Sequence, residues 1–167
     1  MILHDTVSKR CFTVAGWLVR DGKVLLIKHR MLGIWLAPGG HVEPNEVPNF
    51  AIEREFFEET NLRVRAISAL PVLESETSEF LPVPFYADLH WINKPGEHKA
   101  RSNGEICEQH YVFAYFVRAI DENLDIQHET TEATAIGWFS EQDLLTLSTR
   151  ESIKNEARCA IRTYPKT

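Results

Sequence analysis

The chain has 167 residues, 44% of them hydrophobic and 25% charged, a composition expected of a globular protein able to bury a core. A net charge of −6 argues against a broad nucleic-acid surface, which needs a basic stripe, yet leaves phosphate substrates open because a bound divalent cation inverts the local field. Nothing approaches the roughly 18 consecutive apolar residues of a membrane span, and the first residues lack the basic start and apolar stretch of a secretory leader.

Phe12 to Val19 and Lys23 to Lys28 are apolar, β-rich runs, and Asp21-Gly22 between them predicts a hairpin turn. A loop over 29–34 leads to a short strand at Trp35-Leu36 and then to the Pro38-Gly39-Gly40 turn. Pro48 suits the first turn of a helix, and no glycine or further proline interrupts the chain before Thr60. One or two strands are expected between Leu62 and Leu73, with a break near Pro71. Pro84 to Ile92 alternates, and Tyr111 to Ile120 is a long β-like run. Lys94 to Glu108, rich in Lys, Gly, Glu and Asn, reads as a loop. Ala135 to Phe139 is a final strand running into Ser140, which can cap a helix over Glu141 to Leu147. Thr149 can cap a last helix, Arg150 to Arg162. No repeat or internal boundary divides the chain, so residues 1–167 are expected to form one domain.

Cys11, Cys107 and Cys159 are odd in number, widely spaced and without a CxxC pair. They read as separate reduced thiols in a cytoplasmic setting. Seven histidines are scattered with no metal-ligand spacing, so structural or solvent roles are expected for them.

The segment Gly40 to Leu62, GHVEPNEVPNFAIEREFFEETNL, carries the chemistry. At about 100° per residue, Glu55, Glu58 and Glu59 fall on one helix face with Ala51 one turn earlier, small enough to let a ligand approach, while Ile52 and Phe56 point toward the core with Phe50 and Phe57 nearby on the wheel. Three carboxylates at such spacing repel one another unless a cation lies between them. An oxygen-only donor set favours Mg²⁺, with Mn²⁺ as a substitute, and magnesium is commonly shared with substrate phosphates.

The same residues resemble the Nudix box, G-x5-E-x7-R-E-U-x-E-E-x-G-U with U a bulky apolar residue. Every fixed position matches except the last glycine, which is Asn61 here. That position often needs a left-handed backbone, and asparagine tolerates it best after glycine. The resemblance implies an α/β fold, an α/β/α sandwich with a mixed sheet between helices. It also implies a metal site of Glu55, Glu58 and Glu59, with the Gly39 carbonyl as an uncharged oxygen ligand. Either Glu55 or Glu59 would help deprotonate the attacking water. Arg54 would orient a carboxylate through its planar fork, and Glu46 would support the site from behind.

Members of this family often add an acidic group from a later loop, for which Glu105, Glu108 and Glu132 are candidates. Trp35, Trp91, Tyr111 and Trp138 could stack on a base or serve the core. The implied reaction is hydrolysis of a phosphoanhydride in a nucleoside diphosphate linked to another moiety, such as a nucleoside triphosphate. No marker string of the NADH or ADP-ribose type accompanies the box. The competing readings are a catalytically silent domain that senses a nucleotide and an isopentenyl-diphosphate isomerase-like enzyme. Silent members usually lose box carboxylates, which this chain keeps. Expected partners are a small nucleotide or pyrophosphate substrate and, in an open alternative, a second copy of the chain as a homodimer.

Overall fold

The computed structural model describes residues 8–71, 73–93, 97, 106–120, 126 and 133–166. Strand β1 (Arg10–Arg20) turns into β2 (Lys23–His29) through Asp21 and Gly22, both at positive φ, as the Asp-Gly signal predicts. The short β3 (Trp35–Leu36) follows, then α1 (Pro48–Thr60), β4 (Val64–Ile67), β5 (Tyr86–Trp91), β6 (Gln109–Ala119) and β7 (Ala133–Ser140). Helices α2 (Asp143–Thr146) and α3 (Glu151–Thr163) close the chain. Between Leu62 and Leu73, β4 is the strand among the described residues, and its Val64 and Ala66 face inward.

The sheet runs β3-β2-β1-β6-β4. Strand β5 pairs with β6 along its first half, where β4 pairs along its second, and β7 pairs with β2. Strands β1 and β6 lie parallel in continuous register from Arg10 opposite Gln109 to Leu18 opposite Val117. The sheet is therefore mixed.

Alternation along the strands gives the sheet two apolar faces. Val14, Leu18, Leu25, Ile27, Tyr115 and Val117 meet Ala51, Ile52 and Phe56 of α1. Trp17, Val24, Leu26, Ala114 and Phe116 meet Ala157 and Ala160 of α3. Helices thus cover both faces, the layered arrangement expected of the sequence. Gly16 lies under α1, where a Cβ would come within 2.8 Å of the Phe56 ring.

The ends of the helices are tied locally. Asn61 closes α1 at φ 60°, ψ 13°, its N–H donating to the Phe57 carbonyl at 2.7 Å. Glu53 anchors α1 to β4 by accepting from the Ala66 amide (3.0 Å) and from Arg65 (3.2 Å). Helix α2 starts at Asp143 with Gln142 as its cap, rather than at Glu141 behind Ser140; Ser140 and Asp143 instead close the preceding turn, each side chain accepting the other's backbone N–H. Arg150, rather than Thr149, is the cap of α3, and the Thr149 hydroxyl donates to the Trp35 carbonyl. Tyr164 anchors the end of α3 to the Val117 carbonyl of β6 at 2.7 Å.

Two expectations are corrected by the fold. Ala51 is fully buried in the α1 core, so it leaves no room for a ligand; Phe50 and Phe57 are the exposed apolar residues of that helix. Cys11 and Cys107 are joined in a disulfide with Cα atoms 6.0 Å apart, and Cys159 alone is a free thiol. A sequence separation of 96 hides that contact, which parallel pairing of β1 with β6 creates.

Candidate active site

The residues 38–42 form an extra rung along the free edge of β1. Val14 N–H donates to the Gly40 carbonyl (2.8 Å), Gly16 N–H to the Pro38 carbonyl (2.8 Å), and Val42 N–H to the Phe12 carbonyl (3.0 Å). Glycines are required there for closeness. A Cβ on Gly39 would lie 2.1 Å from the Val14 carbonyl oxygen, and one on Gly40 would lie 2.4 Å from the Glu55 carboxylate. Box helix and loop therefore touch through the glycines.

Arg54 is the hub of the acidic face. Its Nε and Nη2 donate to the two oxygens of Glu46 at 2.9 and 2.8 Å, a bidentate fork. Its Nη1 donates to Glu55 at 2.8 Å and to Glu58 at 3.2 Å, and Nη2 also reaches the His41 carbonyl at 3.1 Å. This pairing holds the Glu46 carboxyl below its usual range, the Arg54 hydrogen bond being the largest cause; partial burial opposes it. Arg54 in turn is held even more firmly in its charged form, chiefly by Glu46. Glu46 also accepts the Glu43 amide at 3.0 Å, which ties the loop before α1 to the same fork.

Glu59 takes a different route. It is 1% exposed and accepts the Gly39 amide at 2.7 Å. The contact from Gly39 to the box thus runs through its N–H. Glu58 is the open member, its side chain 56% exposed. Glu55 and Glu58 meet at the arginine while Glu59 turns to the loop, so the three carboxylates fan around one end of the Gly39-Gly40 rung. Among the described residues the three carboxylates do not converge on one point: Glu55 and Glu58 share Arg54, and Glu59 faces the Gly39 amide.

On the other side of the rung lies a cavity of about 820 Å³ between the sheet and α3. Gly39, Gly40 and His41 form one wall, Thr13, Ala15 and Val112 the floor, and α3 the roof. Its polar lining includes Asp88, His90, His110 and Glu156, with Arg150, Ser152 and Asn155 beside them. His90 Nδ1 lies 2.7 Å from Asp88 Oδ1. Burial pushes the Glu156 carboxyl up to about 7; Asp88 adds to the rise and His90 opposes it.

The aromatic candidates do not line this cavity. Tyr111 packs at a tilt against Phe12 and Phe113 on the opposite face of the sheet, because β6 alternates and His110 and Val112 take the cavity side. Trp91 alternates away from His90 in the same manner. Trp35 packs edge-on to Phe139 in the α3-side core, and Trp138 packs against the α1-side core. Glu108 accepts the Lys9 amide at 2.6 Å and so serves the strand start, while Glu105 and Glu132 lie outside the described residues.

What sequence reasoning missed is the polar lining. Asp88 and His90 were findable from the alternation of β5, and Glu156 from its place on α3 between Ile153 and Ala160. Their meeting with His41 and His110 needs the topology.

A family model, the NUDIX domain, matches residues 9–162. The chain belongs to the NUDIX family. This NUDIX chain is 36% identical over 74 residues to a MutT-like protein from Streptomyces ambofaciens, a match covering 44% of the chain and 48% of that relative. It thus spans about half the length of that relative. Among solved structures, a NUDIX-family hydrolase from Clostridium perfringens is 25% identical with a TM-score of 0.73, covering 94% of this chain and 99% of that one. An ADP-ribose pyrophosphatase from Streptococcus suis shares the fold at 18% identity and a TM-score of 0.57, covering 94% and 96%. Among the described residues, no helix is long and apolar enough to cross a membrane.

Proposed function

We propose that this NUDIX chain is a divalent-metal-dependent hydrolase of a phosphoanhydride bond in a nucleoside diphosphate linked to another moiety. The observation that carries the reading is the position of the Gly39-Gly40 rung, with the Arg54-gathered carboxylates on one side and the cavity on the other. A substrate seated in the cavity would pass its phosphates across the two glycines to Glu55, Glu58 and Glu59. A volume of about 820 Å³ accommodates a nucleotide-sized ligand.

Glu55, Glu58 and Glu59 would hold Mg²⁺, or Mn²⁺ in its place. When bound, such an ion neutralises phosphate charge and lowers the pKa of water. The chain's own residues do the rest. Arg54 holds Glu55 and Glu58 at a fixed spacing through the bonds its Nη1 donates to both. Glu46 locks the Arg54 plane, so the arginine cannot swing toward an incoming phosphate. Glu59 is buried against the Gly39 amide, which fixes the loop height relative to the helix. Either Glu55 or Glu59 would take a proton from the attacking water. Asp88 and Glu156 offer acceptors to the donor edge of a base.

The test is a screen of nucleoside triphosphates, nucleoside diphosphate conjugates and phosphomonoesters, each with Mg²⁺, with Mn²⁺ and with EDTA. Phosphoanhydrides should turn over with metal alone, phosphomonoesters should resist, and ¹⁸O from solvent should enter one product only. Turnover in EDTA, or label in neither product, would overturn the reading. Tight nucleotide binding with no turnover of any substrate would favour the sensing domain instead.

A further inference from the structure

The disulfide has a third neighbour. His41 Nε2 lies 3.4 Å from Cys107 Sγ, and the ligand atoms of Cys11, His41 and Cys107 all lie within 4.8 Å of one another. Among the described residues this is the one group of three or more His, Cys, Asp or Glu side chains drawn so close. His110, the register partner of Cys11, presents its ring edge-on to His41 with centroids 4.8 Å apart. Cys107 is buried, and the other two are half-buried.

We propose that Cys11, His41 and Cys107 form a redox-gated site for a thiophilic divalent ion such as Zn²⁺, open only when the disulfide is reduced. Two thiolates and one imidazole are a borderline-soft donor set that selects zinc over magnesium, the reverse of the glutamate face. Around a tetrahedral zinc, ligand atoms stand about 3.5–4 Å apart, a spacing that the 3.4 Å Cys107–His41 contact already meets. The Cα separation of 6.0 Å serves a bonded pair and a pair of thiolates on one ion alike, with side-chain rotation alone. His110, whose ring packs against His41, or a water would take the fourth position.

The two states interconvert with balanced chemistry. A dithiol reductant gives two electrons and two protons to the S–S bond, yielding two thiols, while the dithiol closes to its own disulfide. Binding of the ion then displaces the two thiol protons to solvent and takes His41 as the neutral imidazole. Either state ties the start of β1 and the approach to β6 together. The metal state adds the loop at His41, whose carbonyl accepts from Arg54. This site stands independently of the hydrolase reading, since it uses none of the box carboxylates.

The test uses the full chain, reduced with a phosphine that does not compete for metal, then titrated with Co²⁺ in excess Mg²⁺. Carboxylate-bound Co²⁺ gives no sulfur-to-metal charge-transfer band, so that band reports this site alone. The reduced protein should develop it to one equivalent and lose it on adding Zn²⁺. The oxidised protein should show none and should expose one thiol, Cys159, to a thiol reagent, against three after reduction. Cys11→Ser and Cys107→Ser should each weaken or abolish the band, and His41→Gln should weaken Co²⁺ binding roughly ten-fold or more. Zn²⁺ should raise the melting temperature of the reduced wild type and not that of the oxidised protein. The wild-type comparison needs no variant, so a misfolded mutant leaves the outcome intact. No band in the reduced protein, a band in the oxidised one, or three thiols without reduction would overturn the proposal.

Discussion

At the scale of single residues the site depends on one guanidinium. Arg54 spends its fork on Glu46 and its remaining N–H on Glu55 and Glu58. Lysine is a point charge and cannot hold three carboxylates and a carbonyl in one plane. Arg54→Lys should therefore lower kcat by on the order of 10-fold or more while circular dichroism stays native. A kcat within two-fold of wild type would contradict the positioning role.

Glu46 supplies a pH signature. Its folded pKa lies below the ordinary 4.5, so its contribution is present above that value and is lost as pH falls through the folded pKa. Glu46→Gln should cost roughly 1–3 kcal/mol at neutral pH in urea melts, with the deficit shrinking below about pH 4. A deficit independent of pH would assign the loss to packing. Glycines can be tested as directly. Gly40→Ala places a methyl 2.4 Å from the Glu55 carboxylate, so activity should fall far more than stability.

Elements follow the sequence where the signal is local. The Asp21-Gly22 hairpin and α1, from Pro48 to Thr60, are legible because turn chemistry and helix periodicity act over a few residues. The Asn61 cap is of the same kind. Its left-handed φ of 60° costs an asparagine more than a glycine, so Asn61→Gly should stabilise by roughly 0.5–1 kcal/mol with activity unchanged. A lower melting point would mean the Asn61 side chain does something beyond closing the helix. The cap of α3 stands at Arg150, one residue past Thr149, whose hydroxyl donates to the distant Trp35 carbonyl, a contact no local rule anticipates.

At the scale of the whole molecule, parallel pairing of β1 with β6 creates the features the sequence conceals. It joins Cys11 to Cys107 and brings Cys11 level with His110, while the same sheet carries Asp88 and His90 under α3. The carboxylate face was readable because its members share one helix; the cavity was not, because its walls come from β1, β5, β6 and α3. Tyr111 and Trp91 illustrate the cost: their types suited stacking, yet strand alternation turns them from the cavity.

Glu156 gives that cavity a measurable charge. Its folded carboxyl titrates near 7 against an ordinary 4.5, so folding is favoured below about 4.5 and that advantage is lost as pH rises through 7. Glu156→Gln should flatten the fall in melting temperature between pH 5 and 8. An unchanged slope would show that the group ionises normally.

The central claim is that Glu58 serves chemistry and not the fold. Its side chain is 56% exposed and is tied by a 3.2 Å bond from Arg54, so the fold should survive its neutralisation. Steady-state hydrolysis of a responsive phosphoanhydride by Glu58→Gln, with Mg²⁺ varied, decides the matter. The expected result is a loss on the order of 10²-fold or more in kcat with a melting curve near wild type. Full activity at wild-type Mg²⁺ demand would contradict it.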